Sequence, residues 1–378
     1  MDDNKIAYYY KDSGLEFFTR QMTHVCAPGF VFIMGIGITI VFHSRLTKLN
    51  WTLTACALTI MKRAVICFAV SEPLEMVGWM IGWLGDITKL REDGYNENDE
   101  GKGRVPMAVI FGLFTCMFFA GPTMALIHGL VGTERKNMVG PALLFAGVVV
   151  LLFCFIIMEV RDPDEEYFLD RTYRVFVAGG PNRDSPSWGP NIICRYPIMP
   201  MLGLCLTGAG FGEEILKAKH AGLHRAVPLL GLMLLTMFFL NRGFIEDDER
   251  INGSGGIAFF SLQKYPFDFS YCTFNIGILL NLFYFTDKLA VRRDRGGVRG
   301  TICNFFISIG RVPLFYYVFH LWWLGTMSLP WGLTGSCGSI WFVYAVTIFS
   351  NIFPLRMACD RFWNFKSGKP RDSYWKLF

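Results

Sequence analysis

Apolar residues in this chain come in long blocks separated by short polar segments, and block length sets the first reading. A membrane span needs about 20 predominantly apolar residues. Windows approaching that length fall near 28–43, 51–71, 106–130, 139–159, 193–212, 226–241, 270–286, 301–328 and 337–356. They predict an all-α fold, a polytopic transmembrane helix bundle of about nine spans, because helices satisfy their own backbone in lipid. A shorter stretch from Pro73 to Gly85, rich in Trp and Gly, reads as an interfacial or re-entrant segment. The chain, 1–378, reads as one membrane-embedded domain, with a helical bundle over 28–357 and a basic tail over 358–378.

The polar segments alternate in charge. Arg45 and Lys48 follow the first block, Arg135 and Lys136 the third, and Lys217, Lys219 and Arg225 the fifth. Lys288, Arg292, Arg293, Arg295 and Arg299 make the segment 287–300 strongly basic, and the tail is basic again. Between them, 86–105, 160–192 and 242–269 hold more acids than bases. Cytoplasmic loops carry the excess of Lys and Arg, so the basic segments and the C-terminus are expected in the cytoplasm. Counting back then puts the N-terminus outside. No basic start with an apolar core precedes the first span, so a first helix upstream of Met1 is expected to be missing.

Composition fits this picture. The chain is 52% hydrophobic and 16% aromatic with a mean hydropathy of +0.35, as in a polytopic membrane protein. The net charge of +5 is segregated by loop, which makes it a topology signal and gives no nucleic-acid footprint. The 11 cysteines form no C-x-x-C pair and read as small buried hydrophobes, so neither a disulfide framework nor a metal site is expected. Motifs for a P-loop, a zinc protease or a serine hydrolase are absent from the sequence.

The block 301–328 differs from a plain anchor. It holds Arg311, Pro313, Tyr316 and His320 within apolar sequence. Ionisable groups inside a span are expensive and mark functional sites by default; the alternative is an arginine that snorkels or pairs with a neighbouring helix. Tyr316 and His320, four residues apart, share a helix face. Arg311, nine residues before His320, falls on the opposite side unless Pro313 kinks the helix.

Several stretches resemble one family. Residues 17–37, FFTRQMTHVCAPGFVFIMGIG, are similar to the first common motif of the heparan-alpha-glucosaminide N-acetyltransferase catalytic domain family and its bacterial relatives. The resemblance continues through Arg195-Tyr196-Pro197 with Pro200 and Gly203, through Lys264-Tyr265-Pro266, through Gly310 to Tyr316 with His320, and into the tail from Cys359 to Phe378. It covers nearly the whole chain through the order and spacing of these motifs. Members usually begin with a helix ending in an Asp-His-type motif, absent here, and His24 lies nearer its span, as in the bacterial branch. The resemblance implies a multi-pass acyltransferase that moves an acetyl group from cytoplasmic acetyl-CoA to a sugar or glycan acceptor on the far side. No metal is implied.

Candidate site residues follow. Glu16, Arg20 and His24 are spaced by four and line one helix face, where the carboxylate–arginine pair is placed to hold the imidazole, the histidine to act as a general base and Arg20 to bind substrate; the alternative is a solvated helical face with a capping histidine. His320 and Tyr316 form the second catalytic candidate. Arg311 suits the phosphate or thioester end of an acyl carrier. Lys62 and Arg63 are candidates for the pyrophosphate of coenzyme A; alternatively their run is two shorter elements with an exposed joint. Arg195, Tyr196, Lys264 and Tyr265 sit where the chain enters a span, either binding substrate or anchoring at headgroup depth. His128, His220 and His224 read as bland. The partners expected are the bilayer and the acceptor, and the reading allows a homodimer. A transporter and a non-catalytic relative are the alternatives.

Overall fold

The computed structural model describes residues 14–92, 104–107, 109–132, 134–160, 176–177, 180–181, 191–194, 197–217, 223–245, 269–291, 304–305, 307–334, 349 and 351–370. The architecture is helical. Helices α1 (Gly14–Lys48), α2 (Leu53–Glu92), α3 (Val109–Val131), α4 (Val139–Val160), α5 (Ile198–Lys217), α6 (Leu223–Leu240), α7 (Phe269–Val291), α8 (Pro313–Thr334) and α9 (Arg356–Ser367) follow one another. Among the described residues, five helical segments are long and apolar enough to cross a membrane: Ala27–Lys48, Leu53–Gly78, Ile110–Val131, Lys136–Met158 and Phe269–Thr286. By that measure the chain is a multi-pass membrane protein.

Along α2 the structure departs from the sequence reading. Pro73 to Gly85 is no separate re-entrant element: α2 runs through Pro73 to Glu92 as one helix, so Lys62 and Arg63 also lie at no joint. The all-α expectation holds; beside the helices lie three short strands, β1 (Arg104–Met107), β2 (Gly180–Pro181) and β3 (Asn191–Cys194), in the order β1-β3-β2. β2 and β3 run antiparallel, with Gly180 opposite Cys194. Contacts group the chain into two compact units, Met1–Ala64 with Val105–Thr286 and Val65–Arg104 with Asp287–Phe378. Most of the expected span 337–356 lies outside the described residues.

In the first unit α5 is central. It falls short of a lipid-facing span because its end carries Glu213, Glu214 and Lys217 and most of its residues are buried in protein. Small residues let neighbouring backbones approach closely, the dominant packing device where water exclusion gives no drive. One edge of α5 meets α1: a Cβ on Gly208 would collide with the Phe32 carbonyl, and one on Gly212 would lie 3.1 Å from Ile36 Cα. Thr39 on α1 donates its Oγ1–H to the Ala209 carbonyl at 3.0 Å. The other edge meets α4, where a Cβ on Gly210 would sit 2.6 Å from Leu144 N and one on Gly147 would sit 2.6 Å from Thr207 N. Helices α6 and α7 repeat the device at Gly231 and Gly277, beside Asn281. Buried cysteines, including Cys56, Cys116, Cys154, Cys205 and Cys272, fill this unit as small hydrophobes, as expected from their scatter.

The second unit is built on α8 and α9. Residues 307–310 are helical, Arg311 and Val312 turn, and α8 begins at Pro313, where a missing N–H costs nothing. Helix α9 docks beside this turn: Phe315 stacks on Phe362 at 4.3 Å, and Ser308 donates to the Asp360 carboxylate.

Candidate functional site

The second unit gathers a polar cluster around His320. Its ring stacks on Tyr316, with centroids 5.4 Å apart and planes 10° from parallel, as the spacing of four predicts. Tyr317 touches the same imidazole at 5.4 Å from another direction, tilted by 60°. Nδ1 of His320 lies 3.2 Å from the Tyr316 carbonyl oxygen. A carbonyl can only accept, so in the neutral ring this bond places the hydrogen on Nδ1 and the lone pair on Nε2.

The hydroxyl of Tyr317 donates to Glu75 Oε1 on α2. Glu75 is fully buried. A carboxylate removed from water needs such a donor, since an unpaired one is among the costliest groups to bury. The approach of α2 to α8 depends on Gly78, whose added Cβ would lie 3.3 Å from Leu321 Cβ and from Trp322 Cδ1. Trp322 then donates its Nε1–H to the Leu74 carbonyl at 2.7 Å. Glu72, one turn before Glu75, keeps a buried oxygen, Oε2, without a hydrogen bond among the described residues. The chain thus presents a tautomer-fixed imidazole, two tyrosines and two carboxylates in one region of one unit.

Arg311 goes elsewhere. The kink at Pro313 exists, but Arg311 is exposed and lies over the indole of Trp363 on α9, 5.1 Å from its centroid. A cation–π contact of this kind is a docking interaction for α9. Lys62 and Arg63 also part company: Lys62 is exposed while Arg63 is half-buried. Glu16, Arg20 and His24 share one face of α1 by register, and their side chains lie outside the described residues. Arg195, Tyr196, Lys264 and Tyr265 lie outside them altogether.

Sequence reasoning omits Glu75, Tyr317 and a second pair in the first unit. There, His128 Nε2 faces Glu213 Oε1 at 3.4 Å, with Phe42 stacked on the imidazole at 5.1 Å. The signal for Glu75 and Glu213 was present, since a carboxylate inside an apolar run is a functional hint by itself. The pairings carried no such signal: His128 reads as bland in the sequence, and Tyr317 is 242 positions from Glu75.

A multi-pass helical membrane protein with a half-buried Tyr–His cluster tied to one fully buried carboxylate, Glu75, is the class these features define. No family model, curated protein or solved structure matches the chain.

Proposed function

We propose that this protein is an integral-membrane acyltransferase, a relative of the heparan-alpha-glucosaminide N-acetyltransferase catalytic domain family. It moves an acetyl group from acetyl-CoA, or a similar donor, to a sugar or glycan acceptor on the extracytoplasmic side. The observation that carries this reading is the His320 site: a neutral imidazole with its Nδ1 hydrogen committed to Tyr316 and its lone pair on Nε2, the atom that accepts a proton. Glu75 acts through Tyr317 as a positioning residue, holding the tyrosine against the ring.

In the step proposed, an acceptor amine or hydroxyl attacks the thioester carbonyl carbon. His320 Nε2 takes the acceptor proton, the C–S bond breaks, and coenzyme A leaves as its thiol after receiving that proton. Tyr316, stacked beside the ring, orients the acceptor, and Glu72 offers a free carboxylate oxygen to one of its polar hydrogens. His24, Arg20, Arg195, Tyr196, Lys264 and Tyr265 are assigned to the acceptor on the strength of the resemblance alone. The C-terminus is cytoplasmic in this scheme.

Transport is the second reading. Buried carboxylates at Glu75 and Glu213 within helices favour it, since such groups also mark ion and proton pathways. Proteoliposomes supplied with labelled acetyl-CoA and a panel of amino sugars and glycans separate the two. Acyl-CoA-dependent product that falls about a hundredfold or more in His320→Ala is the expected result. Acceptor flux without covalent change would support transport, and neither activity would mark a non-catalytic relative.

A further inference from the structure

The turn joining α1 to α2 concentrates positive charge on a surface that the proposed chemistry does not use. The turn is well tied: Leu49 N–H and Trp51 N–H both donate to the Arg45 carbonyl at 3.2 Å, and Asn50 takes the left-handed conformation, φ 52°, that lets the chain reverse. Thr52 Oγ1 then accepts from Ala55 N–H at 3.2 Å, capping α2. On this platform the Arg45 guanidinium lies over the Trp51 ring, 5.1 Å from its centroid. Trp51 is 38% exposed, as an indole at the membrane–water boundary would be.

Helix α2 enters from there with two distinct sides. Cys56, Ile60 and Ala64 are buried, whereas Thr54, Leu58 and Lys62 are exposed along one stripe. Leu58, 58% exposed, identifies the stripe as lipid-facing. Lys62 follows it by one turn, on the same face and nine positions into the helix, about 14 Å along the axis. A lysine on a lipid-facing stripe either snorkels toward the headgroups or draws a headgroup to itself. The snorkelling direction leads back to Arg45, which is also close enough to Arg63 for their charges to interact. Neither Arg45 nor Lys62 has a carboxylate partner among the described residues, and Lys48 adds a further exposed cation at the end of α1.

We propose that this corner binds the phosphate of an anionic phospholipid, held by Arg45 and Lys62 with Trp51 at the level of its glycerol backbone. A zwitterionic headgroup would bring its own cation against Arg45 and Lys48, so the site selects net negative charge. The proposal does not rest on acyl transfer.

The test uses the purified full chain in nanodiscs of phosphatidylcholine, titrated with phosphatidylglycerol and read by native mass spectrometry and thermal unfolding. Phosphatidylglycerol should bind and raise the unfolding temperature. Lys62→Ala, at an exposed position that leaves folding intact, should weaken that binding about fivefold, the size of one basic residue at an anionic leaflet. Lys62→Arg should retain it, and Arg45→Ala should weaken it likewise. Equal binding of phosphatidylcholine, or an unchanged response in Lys62→Ala, would overturn the proposal. So would inorganic phosphate or coenzyme A reproducing the stabilisation with the same residue dependence, which would make the corner a site for a soluble anion.

Discussion

His128 Nε2 stands 3.4 Å from Glu213 Oε1 inside the first unit, with side-chain exposures of 11% and 5%, and neither atom makes a hydrogen bond among the described residues. The pair joins α3 to α5 across 85 positions of sequence. It sits at the end where Lys217 donates to the Asn137 carbonyl at 2.8 Å, so two segments read as basic and cytoplasmic meet in space.

Breaking such a pair on one side strands the other group. His128→Leu or Glu213→Leu alone should destabilise the protein by about 3–5 kcal/mol, whereas the double change should recover most of the loss. Chemical unfolding of the four proteins in one detergent measures it. Additive single losses with no recovery would show that the two groups do not act on each other.

Helix α5 supplies a packing prediction. Gly208→Ala drives a methyl into the Phe32 carbonyl, which belongs to backbone and cannot rotate away. The expected cost is about 1–3 kcal/mol, from separation of α1 and α5. Gly37, on α1, has open space around it. Gly37→Ala should be neutral or stabilising by up to about 1 kcal/mol, through helix propensity alone. Thermal unfolding of both variants side by side decides this.

The Tyr317–Glu75 bond predicts a different signature. Tyr317→Phe removes one hydrogen-bond donor from a fully buried carboxylate and should cost about 1–3 kcal/mol. Glu75→Gln replaces the charge but keeps an acceptor, and should be milder. If Glu75 positions the site through Tyr317, Tyr317→Phe should also lower kcat with little change in KM for the donor. A stability loss with unchanged turnover would reduce the bond to scaffolding.

Cys359 on α9 is a chemical probe of how α9 is docked. Burial, with the neighbouring Asp360 carboxylate adding to it, pushes its thiol up to about 11. Only the thiolate reacts, and at pH 8 its fraction is on the order of one in a thousand. Maleimide labelling of Cys359 should therefore be at least about a hundredfold slower than that of an unfolded control at pH 8, and should rise steeply toward pH 11. Arg311→Ala removes the contact with Trp363 and should speed labelling at fixed pH. Fast labelling of the unaltered protein at pH 8 would show α9 undocked.

Apolar block length by itself determined that the chain is helical and crosses a membrane more than once, because lipid admits few other backbones. The spacing of Tyr316 and His320 determined their stacking, and Pro313 determined the break before α8, since both are properties of one helix. Arg311 marks the limit of that reasoning. The kink was legible, but its use to turn Arg311 onto Trp363 depends on where α9 packs. The continuity of α2 through Pro73 was likewise decided by contacts with α8, made at Gly78 and Leu74, which outweigh one lost backbone bond. Glu75 with Tyr317, and His128 with Glu213, were set by tertiary structure alone. Helix periodicity states which residues of a helix share a face, but carries no information about which face of which other helix will be opposite.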